Sequence, residues 1–138
     1  MVYDLIIAGS GPAGVSAAIY AARQKLNLLV VSKDMGGQIA KKAVDIENYP
    51  GFDKISGSDL IKIFEQQLKS NKVDIVFDEI LGVEKKNNNF VVSVASGEKY
   101  ESLSVIIATG ADPRPLKVEG EKEFIGKGVS YCALCDGP

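Results

Sequence analysis

Residues 3–14 read Tyr-Asp-Leu-Ile-Ile-Ala-Gly-Ser-Gly-Pro-Ala-Gly, and this stretch decides the fold expected for the chain. Residues 3–8 form an apolar run of strand length that leads directly into the glycine-rich residues 9–14. Residues 15–24 are rich in alanine and predict a helix, and residues 28–31 (Leu-Leu-Val-Val) predict a second buried strand. A strand, a glycine turn, a helix and a strand within about thirty residues form a βαβ unit.

The spacing Gly-x-Gly-x-x-Gly in this position is typical of a dinucleotide-binding turn. Gly9 permits the tight turn, Gly11 lets the backbone approach a pyrophosphate, and Gly14 lets the helix pack closely on the sheet. The helix N-terminus then offers unpaired N–H groups to the phosphates. The same pattern predicts an acidic ribose-binding residue at the end of the second strand, and Asp34 lies just past that end. A glycine turn without a ligand is the alternative.

The remaining sequence predicts an α/β fold in which an antiparallel β-meander is inserted. Residues 32–56 predict a long irregular loop, and residues 58–70 predict an amphipathic helix capped by Ser58 or Asp59. The two prolines within residues 112–115 predict a linker. Further strands are predicted over residues 74–77, 80–84, 90–95 and 103–108, of which the last is expected to be buried.

Composition excludes several classes of function. The chain of 138 residues suits one domain, and its net charge of −2 with scattered Lys and Arg argues against nucleic acid or an anionic membrane as partner. Residues 5–22 carry no charge, but glycines divide them into one run of strand length and one of helix length. Neither a membrane span nor a signal peptide is therefore expected, and the expected location is the cytoplasm. The absence of histidine excludes Ser-His and Cys-His triads.

The only two cysteines, Cys132 and Cys135, form a Cys-x-x-Cys pair. This spacing indicates either redox chemistry or half of a zinc site. Zinc prefers four ligands, and the chain has no third Cys and no His, so the redox interpretation is favoured and no metal is expected. A zinc site shared across a dimer and a pair of buried structural thiols are the alternatives. Asp136 follows directly and can exchange a proton with a thiolate, or simply form the turn before Gly137-Pro138.

The motifs GSGPAG, GGQI, IENYPG, ATG and CALCDGP, in this order, resemble the low-molecular-weight thioredoxin reductase family over residues 2–138. The flavoprotein subunit of alkyl hydroperoxide reductase is equally similar. The resemblance implies a homodimeric flavoenzyme that passes electrons from NADPH or NADH through FAD to the Cys-x-x-Cys disulfide and on to thioredoxin. A reductase linked to a peroxiredoxin-type disulfide protein is one alternative, and a non-catalytic flavin-binding or thiol module is another.

The resemblance also implies roles for individual residues. Cys135 is the thiol nearer the flavin, Cys132 attacks the partner's disulfide, and Asp136 is the acid/base. Lys33 departs from the family pattern, which affects the expected ribose contact. The FAD-binding residues that the resemblance implies run from the pyrophosphate turn through the ribose and flavin contacts to the residues that close the cleft: Gly9, Ser10, Gly11, Pro12, Ala13, Gly14, Ser32, Lys33, Asp34, Gly37, Gln38, Asn48, Thr109, Gly110 and Ala111.

Two domains are implied by the same resemblance. Residues 1–112 correspond to the N-terminal segment of a Rossmann-like FAD-binding domain, arranged as three layers with a parallel sheet and an antiparallel β-meander. Residues 113–138 correspond to the start of the domain that holds the nicotinamide and the redox disulfide. In the family a second glycine motif and a segment that completes the FAD domain follow, and neither is in this chain. The chain alone is therefore expected to be inactive.

Overall fold

The computed structural model of this chain describes residues 1–41 and 45–133. Its helices are α1 (Pro12–Arg23), α2 (Gln38–Lys41), α3 (Gly57–Ser70) and α4 (Glu121–Phe124). Its strands are β1 (Val2–Ala8), β2 (Leu28–Ser32), β3 (Asp45–Ile46), β4 (Ile55–Ser56), β5 (Asp74–Phe77), β6 (Ile80–Lys86), β7 (Asn89–Val94) and β8 (Lys99–Ile107).

The main sheet has six strands in the order β5-β2-β1-β8-β7-β6. Strands β5, β2, β1 and β8 run parallel, whereas β7 is antiparallel to both β6 and β8. Strand β8 belongs to both parts, because residues 101–107 pair with β1 and residues 99–102 pair with β7. The expected α/β class, with a parallel sheet and an antiparallel meander, is confirmed.

The core has two apolar clusters, one on each face of the parallel strands. On one face, Leu5 and Ile7 of β1 pack against the buried residues of α1 and α3, which include Val15, Ala18, Leu60, Phe64 and Leu68. On the other face, Ile6 packs with Val92 and Val94 of β7. Alternate residues of β1 therefore contact the helices and the meander in turn, which produces three layers.

The expectation that residues 103–108 form a buried strand is wrong in part. The strand exists, but it begins earlier, at Lys99, and its later half is largely uncovered. The side chains of Leu103 and Ile107 are 55% and 63% exposed. Strand β7 pairs with β8 only as far as Ser102, and within residues 1–41 and 45–133 no other strand pairs with the outer edge of β8 beyond that point.

Helix α3 begins at Gly57, two or three residues earlier than a cap at Ser58 or Asp59 would place it, and its cap differs. Ser56, rather than Ser58 or Asp59, is the N-cap residue, and its hydroxyl accepts a hydrogen bond from the backbone N–H of Asp59 at 3.1 Å. Helix α1 also begins earlier than predicted, at Pro12 within the glycine turn. Proline suits the first position of a helix because that residue needs no backbone donor there.

The remaining elements agree with the predictions to different degrees. The predicted loop over residues 32–56 contains the short elements α2, β3 and β4, and the predicted strand over residues 74–77 is found without change. Residues 108–118 contain no helix or strand, in agreement with a linker at residues 112–115. Among the described helices, none is both long and apolar enough to cross a membrane.

The α3 cap gives a testable difference between two neighbouring serines. Replacing Ser56 with Ala removes the acceptor of the Asp59 N–H and is expected to lower the free energy of unfolding by about 1 kcal/mol. Replacing Ser58 with Ala, inside the first turn, is expected to cost less than about 0.5 kcal/mol. Urea unfolding of both variants measures the difference, and equal losses would show that Ser56 is not the cap.

Candidate functional site

An open cleft of about 570 Å³ lies at the carboxyl ends of β1, β2 and β8. The ends of parallel strands meet there, which is where ligands bind in open α/β sheets. Most of the predicted FAD-binding residues line it: Gly9, Ser10, Gly11, Pro12, Ala13, Ser32, Lys33, Asp34, Gly37, Gln38, Thr109, Gly110 and Ala111. The structure therefore brings together residues that are about a hundred positions apart in the sequence.

The three glycines of the turn do different things. Gly9 has φ of +109°, and a Cβ there would lie 2.3 Å from the carbonyl oxygen of Ala108. A Cβ on Gly14 would lie 1.9 Å from the carbonyl oxygen of Gly9, so the start of α1 touches the end of β1. A Cβ on Gly11 would meet only the carbonyl oxygen of Gly36, at 3.9 Å. Gly9 and Gly14 are thus required by the fold, whereas Gly11 leaves free space in the cleft.

The N-terminus of α1 opens onto this cleft and has no side-chain cap. Its N-cap residue is Gly11, no side chain among the described residues bonds to the first-turn N–H groups, and that turn contains no acidic residue. Helix α3, by contrast, is capped by Ser56. The first N–H groups of a helix lack intrahelical partners and carry partial positive charge. The turn therefore has the donors and the space that a phosphate group requires.

Two buried hydroxyls fix the turn to the end of β2. The Ser32 hydroxyl accepts a hydrogen bond from the Ser10 N–H at 3.1 Å, and it donates to the carbonyl oxygen of Asp34 at 2.7 Å. The Ser10 hydroxyl donates to the same carbonyl at 2.6 Å. Ser10 and Ser32 therefore act on the backbone of the site, and they hold Asp34 on the cleft wall.

Two ion pairs occupy the rim of the cleft. The Lys33 ammonium lies 3.3 Å from a carboxylate oxygen of Glu79, and the Lys41 ammonium lies 2.6 Å from Asp112 Oδ1. The hydrogen bond from Lys41, followed by one from the Gln38 amide, holds the pKa of Asp112 below its usual range. The bond to Asp112 correspondingly raises the pKa of Lys41. Both groups are therefore charged near neutral pH.

Sequence reasoning missed four polar residues that line the cleft: Lys41, Asp78, Glu79 and Asp112. Asp78 and Glu79 directly follow β5, so the rule that ligands bind beyond the carboxyl ends of parallel strands gives a signal for them. Asp112 adjoins the predicted closing residues. Lys41 has no such signal, because its partner is 71 positions away in the sequence.

Asn48 and Cys132 do not line the cleft. Asn48 is exposed on the bend after β3 and does not line the cleft, so its flavin contact stays a prediction. Cys132 is disulfide-bonded, and its N–H donates to the Ser130 hydroxyl at 3.0 Å. Cys135 and Asp136 are outside the described residues. Within the part of the chain that is described, no group of three or more His, Cys, Asp or Glu is placed to hold a metal ion.

Several known proteins are similar to this chain in sequence and fold. The model of the family described as pyridine nucleotide-disulphide oxidoreductase matches residues 3–138. A thioredoxin reductase of Treponema pallidum is 44% identical over 138 residues, which are 99% of this chain and 44% of that protein. The crystal structure of a thioredoxin reductase from Streptococcus pyogenes superposes with a TM-score of 0.84 at 42% identity, over 99% of this chain and 44% of that one.

A further solved structure differs in its name. A ferredoxin-flavin thioredoxin reductase from Clostridium acetobutylicum has a TM-score of 0.76 at 37% identity, over 100% of this chain and 47% of that one. The chain thus spans less than half the length of each of these relatives. The similarity covers the cleft and the Cys-x-x-Cys sequence and leaves the rest of each relative without a counterpart here.

The glycine contacts predict opposite results for two alanine substitutions. Gly14→Ala places a methyl group against the Gly9 carbonyl and is expected to lower the free energy of unfolding by about 3 kcal/mol or more. Gly11→Ala places its methyl group in the open cleft and is expected to change it by less than about 1 kcal/mol. Urea unfolding of the flavin-free protein tests both, and a Gly11→Ala variant as unstable as Gly14→Ala would contradict the assignment.

Proposed function

Since this chain belongs to the pyridine nucleotide-disulphide oxidoreductase family, we propose that its cleft binds FAD in an enzyme of the thioredoxin reductase type. The complete protein transfers electrons from NADPH or NADH to a protein disulfide. One observation supports the cofactor assignment most: the uncapped N-terminus of α1 opens onto the cleft beside Gly11, where a side chain would meet open space. That arrangement suits a pyrophosphate.

The residues around the cleft fit the different parts of a dinucleotide. The N–H groups at the start of α1 donate to the pyrophosphate, and Gly11 lets the phosphate oxygens approach the backbone. The Asp34 carboxylate accepts hydrogen bonds from ribose hydroxyls, while Lys33 is directed toward Glu79 instead. When bound, FAD would serve as the electron carrier between the nicotinamide and a disulfide, since its flavin can take up and release two electrons.

The charges of the cleft support this orientation of the ligand. Asp34, Asp78 and Glu79 line the cleft together with Lys33, whose ammonium pairs with Glu79. Carboxylates repel phosphates and accept hydrogen bonds from hydroxyl groups. The phosphates therefore lie at the helix N-terminus, and the ribose lies toward the carboxylates.

The Cys132–Cys135 pair is the proposed redox disulfide. It accepts two electrons and two protons, and its S–S bond breaks to give two thiols. Cys132, as the thiolate, attacks the acceptor's disulfide, and one acceptor sulfur leaves as a thiol with a proton that Asp136 passes on. Cys135 then displaces the second acceptor sulfur from Cys132, which re-forms the Cys132–Cys135 bond and releases the reduced acceptor. Two observations support this role: Cys132 has no free thiol in the structure, and the chain contains no histidine or third cysteine for a metal. The names of the relatives favour thioredoxin as acceptor. A peroxiredoxin-type disulfide protein is the second candidate.

The rest of the proposal concerns the complete protein. In this proposal the complete protein is a cytoplasmic homodimer. Residues 1–112 belong to its FAD-binding domain, and residues 113–138 begin the domain that binds the nicotinamide and contains the disulfide. The ferredoxin-flavin relative makes ferredoxin an alternative electron donor. Turnover with NADPH, NADH and reduced ferredoxin, each with thioredoxin or a peroxiredoxin as acceptor, assigns the donor and the acceptor.

The cofactor assignment predicts that the complete protein is purified with FAD and that Gly11→Val lowers its FAD affinity by at least about a hundredfold. The valine side chain blocks the approach of phosphate to the backbone and removes charge-assisted hydrogen bonds. Titration of the flavin-free protein with FAD measures the affinity. The matched control is Gly82→Val, because Gly82 also faces open space but lies in β6, away from the cleft. Tight FAD binding by the Gly11 variant would refute the assignment.

The redox assignment predicts that Cys132 and Cys135 cycle between dithiol and disulfide without binding metal. Thiol titration is expected to give two more free thiols after reduction than before it. Metal analysis of the reduced complete protein, with Cys132→Ser as the control, is expected to show no bound zinc in either form. About one zinc per two chains, lost in the serine variant, would instead establish a zinc site shared across a dimer.

A further inference from the structure

Three polar contacts join the two sides of the cleft mouth at one short segment. The Gln38 amide nitrogen donates to the carbonyl oxygen of Ala111 at 2.9 Å and to Asp112 Oδ1 at 2.7 Å. The Lys41 ammonium donates to the same Oδ1 atom at 2.6 Å. Gln38 and Lys41 are three residues apart on α2, so their side chains emerge on the same face of the helix. All four residues of these contacts line the cleft: Gln38, Lys41, Ala111 and Asp112.

Helix α2 is short and only lightly packed, since Ile39 is its one apolar side chain that lies partly buried against the core. It is four residues long, and none of them is buried. It follows Gly37, which lies directly over the glycine turn: a Cβ on Gly37 would be 3.5 Å from the Cα of Gly11. The contacts to Asp112 thus restrain a lightly packed segment, residues 37–41, that lies directly over the expected position of the phosphates.

The segment that carries Asp112, on the opposite side of the cleft mouth, is irregular and exposed. Residues 108–118 contain no helix or strand, and the side chain of Asp112 is 67% exposed. An irregular, exposed segment moves more readily than the strands it follows. The contacts to Gln38 and Lys41 therefore connect the irregular segment after β8 to the exposed face of α2 across the opening of the cleft.

We infer that Asp112, bound by Gln38 and Lys41, forms a latch across the mouth of the cleft that slows the dissociation of a bound dinucleotide. The inference rests on the proposed function, since it requires FAD in the cleft. Gln38 thereby acts through its contact with Asp112, in addition to any contact of its own with the cofactor. Lys41 and Asp112 are positioning residues, because they hold the two sides of the cleft together.

The test is the rate of FAD release from the complete holoprotein after dilution into an excess of a flavin-binding scavenger. Asp112→Ala removes both contacts to the Asp112 carboxylate and leaves only the one from Gln38 to the Ala111 carbonyl. It is expected to release FAD about threefold to tenfold faster than the wild type. Lys41→Met leaves the Gln38 contact and is expected to have a smaller effect, about twofold to threefold. Lys62→Met is the matched control, because it breaks an exposed pair with Asp59 at 2.8 Å outside the cleft and is expected to release FAD at the wild-type rate.

Two readouts separate a latch from a general loss of stability. High salt screens an exposed ion pair, so the difference between wild type and Lys41→Met is expected to shrink at about 1 M salt. The double variant K41D/D112K restores an ion pair of opposite orientation, and the Gln38 amide can turn its oxygen toward the new lysine. It is expected to recover a slow release rate, which a purely structural defect would not do.

The outcomes distinguish the latch from the cofactor assignment. A wild type that is purified without flavin and does not bind added FAD would overturn the proposed function and this inference with it. A wild type that binds FAD, together with Asp112→Ala and Lys41→Met variants that release it at the wild-type rate, would overturn the latch alone. The latch would also be overturned if Asp112→Ala and Lys41→Met release FAD faster than the wild type and K41D/D112K releases it just as fast as they do.

Discussion

The structure depends on the contact between the first and last glycines of the turn. A Cβ on Gly14 would lie 1.9 Å from the carbonyl oxygen of Gly9, so the backbone of α1 rests directly on the backbone of the turn after β1. This approach fixes the direction of α1 and places its buried residues, Val15, Ala18 and Ala21, against the parallel strands. The same geometry points the uncapped start of the helix into the cleft. Packing and ligand binding thus share one constraint.

The two sides of the cleft are held by different kinds of interaction. On the inner side, the hydroxyls of Ser10 and Ser32 bond to the carbonyl of Asp34, and both serines are buried. Buried hydrogen bonds are costly to break because the freed groups cannot bond to water instead. On the outer side, Lys41 and Asp112 are solvent-exposed, so water competes for them. The inner side is suited to a fixed binding surface, and the outer side to repeated opening.

The sequence predicts those features that depend on local patterns. The apolar run of β1 reflects burial on both of its faces, and the spacing of Leu60, Phe64 and Leu68 on α3 reflects burial on one face. The limits of β5 agree with the prediction. The cap of α3 was misassigned because Ser56, Ser58 and Asp59 all have capping side chains, and glycine at position 57 is an unfavourable first helical residue. The bridge to Asp112 has no local signal, since it joins exposed residues far apart in sequence. The exposure of Leu103 could not be predicted from the apolar residues of β8 either. An apolar run indicates that a strand tends to be buried, but it does not show which other segment of the chain covers it.

Strand β8 also determines how the chain can open. Its first residues are paired in the antiparallel meander and its later residues in the parallel sheet, with residues 101 and 102 paired on both sides. Unfolding of β8 therefore breaks backbone hydrogen bonds in both parts of the sheet at once, and the two parts share this opening event. Amide protons of β1 and β7, although they lie in different layers, should exchange with deuterium through a common opening event.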